Sequence, residues 1–146
     1  MALTAKRQLE QMGQSLRISG KFKKSDTYYK GAILCYNING LLAVGAGAAT
    51  DIPAGIYTGY GTTPGDDGLV VGAGGTTSKC EVDRGCFWIP FSGAAQADVG
   101  LMFYVADDDT VTKTVGTNTV GMIALAFKTG YVLLDFSALL TVDTTS

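Results

Sequence analysis

The 146-residue chain contains no histidine. That removes the side chain whose charge changes most readily near neutral pH, and with it the commonest general base and metal ligand. Neither a GxSxG nucleophile elbow nor a Walker A pattern occurs. Gly72-Ala73-Gly74-Gly75 is glycine-rich, but no Lys-Ser/Thr pair follows it, so it reads as loop. The three cysteines, an odd number, argue against a disulfide framework. Cys35, in the run Ile33-Leu34-Cys35-Tyr36, reads as a small buried apolar residue. Cys80 and Cys86 flank residues 81–85, which read as the tight end of a hairpin around Arg84-Gly85 and would make the two thiols near neighbours. Without histidine, a zinc site there would need a carboxylate as fourth ligand, outside the usual structural sets. No catalytic residue, cofactor or metal is therefore expected.

Long hydrophobic runs are also missing; none approaches the ~18 residues a membrane-spanning helix needs. The opening MALTAKRQLEQMGQSL has basic residues but no apolar centre, so the expectation is a protein made and kept in a cytoplasm rather than secreted.

What is present is 47% hydrophobic residues and 20 glycines, the composition of strands and turns in one domain. Residues 98–136 read as a meander. Residues 101–105 form an apolar strand, Asp107-Asp108-Asp109 a turn, 111–115 an alternating strand, 120–127 a second apolar strand, Thr129-Gly130 a turn and 131–136 a closing strand. The Asp triplet and Asp66-Asp67 could offer oxygens to a hard cation, but read as solvated turns. Upstream, residues 28–37 and 41–44 read as strands around an Asn39-Gly40 turn, and 52–60 as a strand with Pro53 at its start or at a sheet edge. Residues 61–78 form a long loop, 86–91 the second arm of the cysteine hairpin, and 92–99 a connection with one helical turn near 94–97. The domain reading is an N-terminal arm at 1–26, a β domain at 27–140 and a polar tail at 141–146.

The arm differs from the body in charge. Residues 1–30 carry seven basic residues against Glu10 and Asp26, a net +5, whereas 31–146 carry four basic against eleven acidic, a net −7. Ala5, Leu9, Met12 and Leu16 recur in steps of four, three and four, which predicts a short amphipathic helix over 2–16 with Thr4 as N-cap. Such a helix is marginal alone and needs a surface to pack on. The candidate interaction residues are therefore Lys6, Arg7, Leu9, Met12, Leu16, Arg17, Lys21, Lys23 and Lys24.

The body contains an internal echo. GAILCYNINGLLAV from Gly31 aligns with GLMFYVADDDTVTK from Gly100, and IPAGIYTGY from Ile52 aligns with TVGMIALAF from Thr119. Two like strand–turn–strand–loop–strand units packed together suit a small all-β barrel or sandwich. Aromatic residues along the strands read as core, since an acidic body makes a poor nucleic-acid platform. Trp88, beside Ile89-Pro90-Phe91, is the candidate for a subunit contact.

The region from 27 to 137 resembles the head decoration, or capsid cement, proteins of tailed bacteriophages. The residues that carry the likeness are Asp98-Val99-Gly100 before a strand ending in Tyr104-Val105, then Asp108-Asp109-Thr110-Val111-Thr112. Val120-Gly121 opens a further strand and Leu134-Asp135-Phe136 ends the last. Lys30-Gly31 and Pro53-Ala54-Gly55 fit the same layout. The resemblance implies a β-barrel or β-tulip-like protomer, often trimeric, on the exterior of the virion capsid. Its partners would be the major capsid protein and its own copies, with no direct nucleic-acid or membrane contact, and it brings no catalytic residues to these positions. A tail or baseplate adaptor, and a ligand- or carbohydrate-binding β-barrel module, are the competing expectations.

Overall fold

A computed structural model describes residues 7, 9–21, 27–49, 51–61, 69–70, 79–115 and 119–141. It is all-β: β1 (Gln11–Lys21), β2 (Thr27–Tyr28), β3 (Ile33–Tyr36), β4 (Leu42–Val44), β5 (Ile52–Gly61), β6 (Leu69–Val70), β7 (Lys79–Pro90), β8 (Met102–Val105), β9 (Val111–Thr112), β10 (Val120–Lys128) and β11 (Tyr131–Thr141). Among the described residues one 3-10 turn, Gln96–Asp98, falls in the connection before β8, near the helical turn expected there. The main sheet is antiparallel and runs β4-β3-β5-β7-β11-β10-β8-β9, with β1 added on β7; β2 and β6 form a separate pair. It curls into a half-barrel, bringing β5 near β10 and β11.

β7 organises the curl because three strands pair with it. Asp83 pairs with both Arg17 of β1 and Ile56 of β5, and Cys86 with both Met12 of β1 and Asp135 of β11. A strand has two edges, so β1 takes one of them while β5 and β11 share the other. The two parts of the sheet diverge where β11 leaves β7. There the Phe136 carbonyl accepts hydrogen bonds from Arg84 Nε (3.3 Å) and Nη2 (3.1 Å), so the fork leaves no orphaned acceptor at that point. The hairpin expected around Arg84-Gly85 is thus corrected to one continuous strand of twelve residues. Glu81, Asp83 and Gly85 alternate with Val82 and Arg84, and a period of two fits a straight strand as well as a turn. Cys80 and Cys86 lie six positions apart on it, about 20 Å at ~3.3 Å per residue, too far for a disulfide.

The internal echo is present in the hydrogen bonds. Gly31 N donates to Tyr57 O (2.9 Å) and Tyr57 N to Ala32 O (2.9 Å); Gly100 N donates to Ala124 O (2.7 Å) and Ala124 N to Leu101 O (2.9 Å). Gly31 and Gly100 both sit at φ +89°. The pairs Cys35↔Ala43 and Tyr36↔Leu42 recur as Tyr104↔Thr112 and Val105↔Val111. Ile33↔Ile56 and Leu34↔Gly55 recur as Met102↔Ile123 and Phe103↔Met122. The third strand therefore pairs as the two aligned segments run, with Gly55 at the position of Met122 and Ala54 at that of Gly121.

The two units face the core with opposite sides. Ile33, Cys35 and Ile56 of the first belong to the interior cluster, together with Phe103, Val111, Met122 and Ala124 of the second. In the first unit the counterparts of Phe103, Val111 and Ala124 are Leu34, Leu42 and Tyr57, and these belong to a separate outer core with Tyr28, Ala32, Ala54 and Val82. Tyr28 closes that outer core; its hydroxyl donates to Leu42 O (2.9 Å) and its ring meets Tyr57 edge-on at 6.3 Å. Each fully buried side chain of this size contributes about 1.5–3 kcal/mol.

The open side of the curl is closed by loops. Ile33 N donates to Asp108 O (2.8 Å), and a Cβ on Gly45 would lie 2.6 Å from Val105 Cγ1. The Asp107–Asp109 turn, expected to be solvated, is therefore part of the closure, with Asp108 buried.

Candidate functional site

The N-terminal segment is the part of the chain on which docking was expected, and the structure changes its form. The helix predicted over 2–16 gives way to strand β1 from Gln11 onward. The spacing of Leu9, Met12 and Leu16 suits a helix, but β7 offers an open edge along 79–87 whose N–H and C=O groups need partners. Eight ladder pairs outweigh a short helix weakened by Gly13, and the ladder absorbs the mismatch with an irregularity between Met12 and Leu16. Residues 17–21 continue the same strand.

β1 presents two different faces. Met12, Leu16 and Ile18 pair with Cys86, Arg84 and Val82, which alternate on one side of β7, so all three stand on the outer face. Ile18 packs on the outer core. Met12 is 48% and Leu16 59% exposed, and among the described residues no strand pairs with the far edge of β1. Gln11 and Arg17 pair with Phe87 and Asp83 and so face inward. Leu9 packs against the interior cluster instead of belonging to an apolar helix face.

The inward side opens a cleft of about 490 Å³, lined by Arg7, Leu9, Glu10 and Gln11, by Arg17, by Lys30 and Gly31, and by Ile56, Tyr57, Thr58, Asp83 and Phe87. Arg7 anchors its rim. Its N–H donates to Lys30 O (2.8 Å), Nε to Gly31 O (2.9 Å) and Nη1 to Asp109 O (3.3 Å). Burial holds the Arg7 guanidinium below its ordinary pKa, opposed by the charges of Asp109 and Asp108. Arg17 reaches Glu81 Oε1 at 3.3 Å and Asp83 Oδ2 at 3.7 Å, the second a loose ion pair. The basic arm thus folds back on the acidic body.

Trp88 lies at the far end of this segment. Its N–H donates to Glu10 O (2.9 Å), and Lys128 Nζ sits 4.6 Å from its ring centroid and 5.2 Å from that of Tyr131. Lys128 also pairs with Glu10 at 3.0 Å. The ring is half-buried under these contacts, a clasp holding the chain before β1.

Of the predicted residues, Arg7, Leu9 and Arg17 come together at the cleft, and Met12 and Leu16 on the outer face of β1. Lys21 is exposed at the end of the strand. Lys6, Lys23 and Lys24 lie outside the described residues. Lys30, Gln11, Thr58 and Asp83 were missed as site residues. The alternation of Glu81 and Asp83 with Val82 was the available signal for an inward-facing carboxylate.

Neither Cys35 nor Cys86 carries an activated thiol. Burial, then the charge of Asp51, pushes the Cys35 thiol far up, and partial burial and Asp135 raise that of Cys86, the opposite of what a nucleophile needs. Compared with known family models, curated proteins and solved structures, the chain has no significant match in any of the three.

Proposed function

We propose that this protein is a structural virion component that docks as a multimer, a trimer by the family resemblance, on the exterior of an assembled phage capsid and stabilises it. The observation that carries this reading is β1: eleven residues held to the body along one edge, with no described strand on the other, and with Met12 and Leu16 exposed on the outer face. An unpaired strand edge beside apolar side chains is a template for strand addition or for packing on another protein surface. The half-barrel behind it is stiff, since both faces of its first unit are packed. Binding only to the assembled shell stabilises that shell by mass action, and many weak copies add up. In this reading the partners are the major capsid protein and sister copies.

The test is to mix purified protein with assembled shells that lack it and to sediment the shells. Saturable co-sedimentation at many copies per shell, with raised shell resistance to heat, is expected. Binding at a few copies confined to the tail would move the protein to an adaptor role, and no binding would overturn the proposal.

A further inference from the structure

The cleft beneath β1 has a chemistry that neither core packing nor shell docking uses. We infer that it binds a small carboxylate carrying a hydrogen-bond donor next to its acid group. Its volume of about 490 Å³ lies within the usual span of ligand sites. Three cations line it, Arg7, Arg17 and Lys30, and of the two acids there Glu10 is paired outward with Lys128. Two donors in its wall are buried without a hydrogen-bond partner among the described residues, Arg7 Nη2 and Gln11 Nε2. One acceptor is left likewise, Asp83 Oδ1, on a side chain 9% exposed.

Two unmatched donors and one unmatched acceptor on the same cleft define a complement. A carboxylate accepts from Arg7 and Gln11, and Lys30 on the rim adds a field that favours the anion. A hydroxyl, amine or amide alongside donates to Asp83. Leu9, Ile56 and Phe87 give the cleft an apolar wall, which strengthens polar contacts made inside it. The position of Arg7 is built in. A Cβ on Gly31 would come within 2.4 Å of Arg7 Cγ and of its carbonyl oxygen, so only glycine lets Arg7 seat there. The corresponding Gly100, at the same φ, has nothing within 4 Å. The required group occurs on acidic sugars, and also at the end of a polypeptide, where the last amide N–H lies beside the free carboxylate.

Isothermal titration of the full chain separates these sources. The probes are D-glucuronate against D-glucose, and a short glycine peptide with a free carboxyl end against the same peptide amidated. One acidic probe is expected to bind saturably at one per chain, and roughly tenfold more tightly than its uncharged counterpart, the difference typical of a charge-assisted contact. Whichever acid wins identifies the source. Gln11→Leu should weaken that binding several-fold, and Lys30→Ala should weaken it and flatten its salt dependence, both with unfolding midpoints close to wild type. If neither acid outbinds its uncharged counterpart, the proposal is wrong, and that wild-type comparison decides even where a variant does not fold. Folded Gln11→Leu and Lys30→Ala proteins that bind like wild type would overturn it equally. Shell binding is read in a separate assay, so failure here leaves the docking proposal standing.

Discussion

The first unit, residues 31–61, and the second, residues 100–128, share a hydrogen-bond skeleton and differ in what covers them. Both open on a glycine at φ +89° and close the same ladder onto their third strand. In the first, both faces are buried, one in the barrel and one under Tyr28, Val82 and Ile18. In the second, the face carrying Phe103, Val111 and Ala124 fills the barrel, while Met102 and Ile123 on the other remain half-exposed. Units that pack front to back rather than face to face cannot satisfy both ends of the arrangement. Here the surplus face of the first unit is sealed by β1 and β2, for which the second has no counterpart among the described residues. The same backbone pattern thus carries two different surfaces, and the strand recruited to cover one of them brings an edge that no described strand pairs with.

The sharpest way to break the comparison is to truncate matched ladder positions. Ile33→Ala should cost about 2–5 kcal/mol and Met102→Ala roughly 1 kcal/mol or less, because only the first is fully buried. Chemical denaturation reads both. Equal losses would mean that the units are covered alike.

A smaller contrast comes from the two glycines. Gly100→Ala should cost about 1–2 kcal/mol for the left-handed backbone alone. Gly31→Ala should cost more, since its Cβ also meets the Arg7 backbone oxygen at 2.4 Å. Thermal midpoints measured side by side would show it, and matching shifts would remove Arg7 from the account.

Much of the fold was legible in advance where patterns are local. The apolar runs at β8, β10 and β11, the turn at Asn39-Gly40 with Gly40 at φ +74°, and the like spacing of the two units were all readable. What was not legible depends on partners distant in sequence. Met12 and Leu16 fit a helical stripe, and only the open edge of β7 makes them a strand. Arg84-Gly85 fits a turn, and only simultaneous pairing with β1, β5 and β11 keeps it straight. Asp108 looks solvated until its carbonyl is seen closing the barrel on Ile33. The cleft was half readable: Arg7 and Arg17 stood out by charge, whereas Gln11 and Asp83 depend on the strand register that places them.

Acid stability should also report on one unit only. Asp98 Oδ1 accepts from Lys113 Nζ at 2.8 Å and Oδ2 from Ala95 N at 3.0 Å, and these bonds hold its carboxyl below the ordinary value of 3.8. A depressed carboxylate stabilises the fold at pH above its unfolded value, and this contribution is lost as pH falls through the lower folded value. Asp98→Asn should therefore lose stability at neutral pH and show a shallower acid limb than wild type; an unchanged pH profile would deny the bond a role. The aligned position, just ahead of the first unit, is Tyr29, which has no such carboxylate.

The smallest expected effect concerns the thiols. Mild oxidant should leave the chain mass free of a Cys80–Cys86 crosslink, because both lie on one straight strand. A two-hydrogen loss mapped to that pair would require the hairpin that β7 excludes.

The most direct measurement of the docking claim is shell binding by a Leu16→Asp variant. Leu16 is 59% exposed, so the folded state should change by no more than about 0.5 kcal/mol. The variant should unfold like wild type and no longer saturate assembled shells. A folded variant that saturates them at wild-type affinity would place the docking surface elsewhere on the half-barrel and contradict the role given to β1.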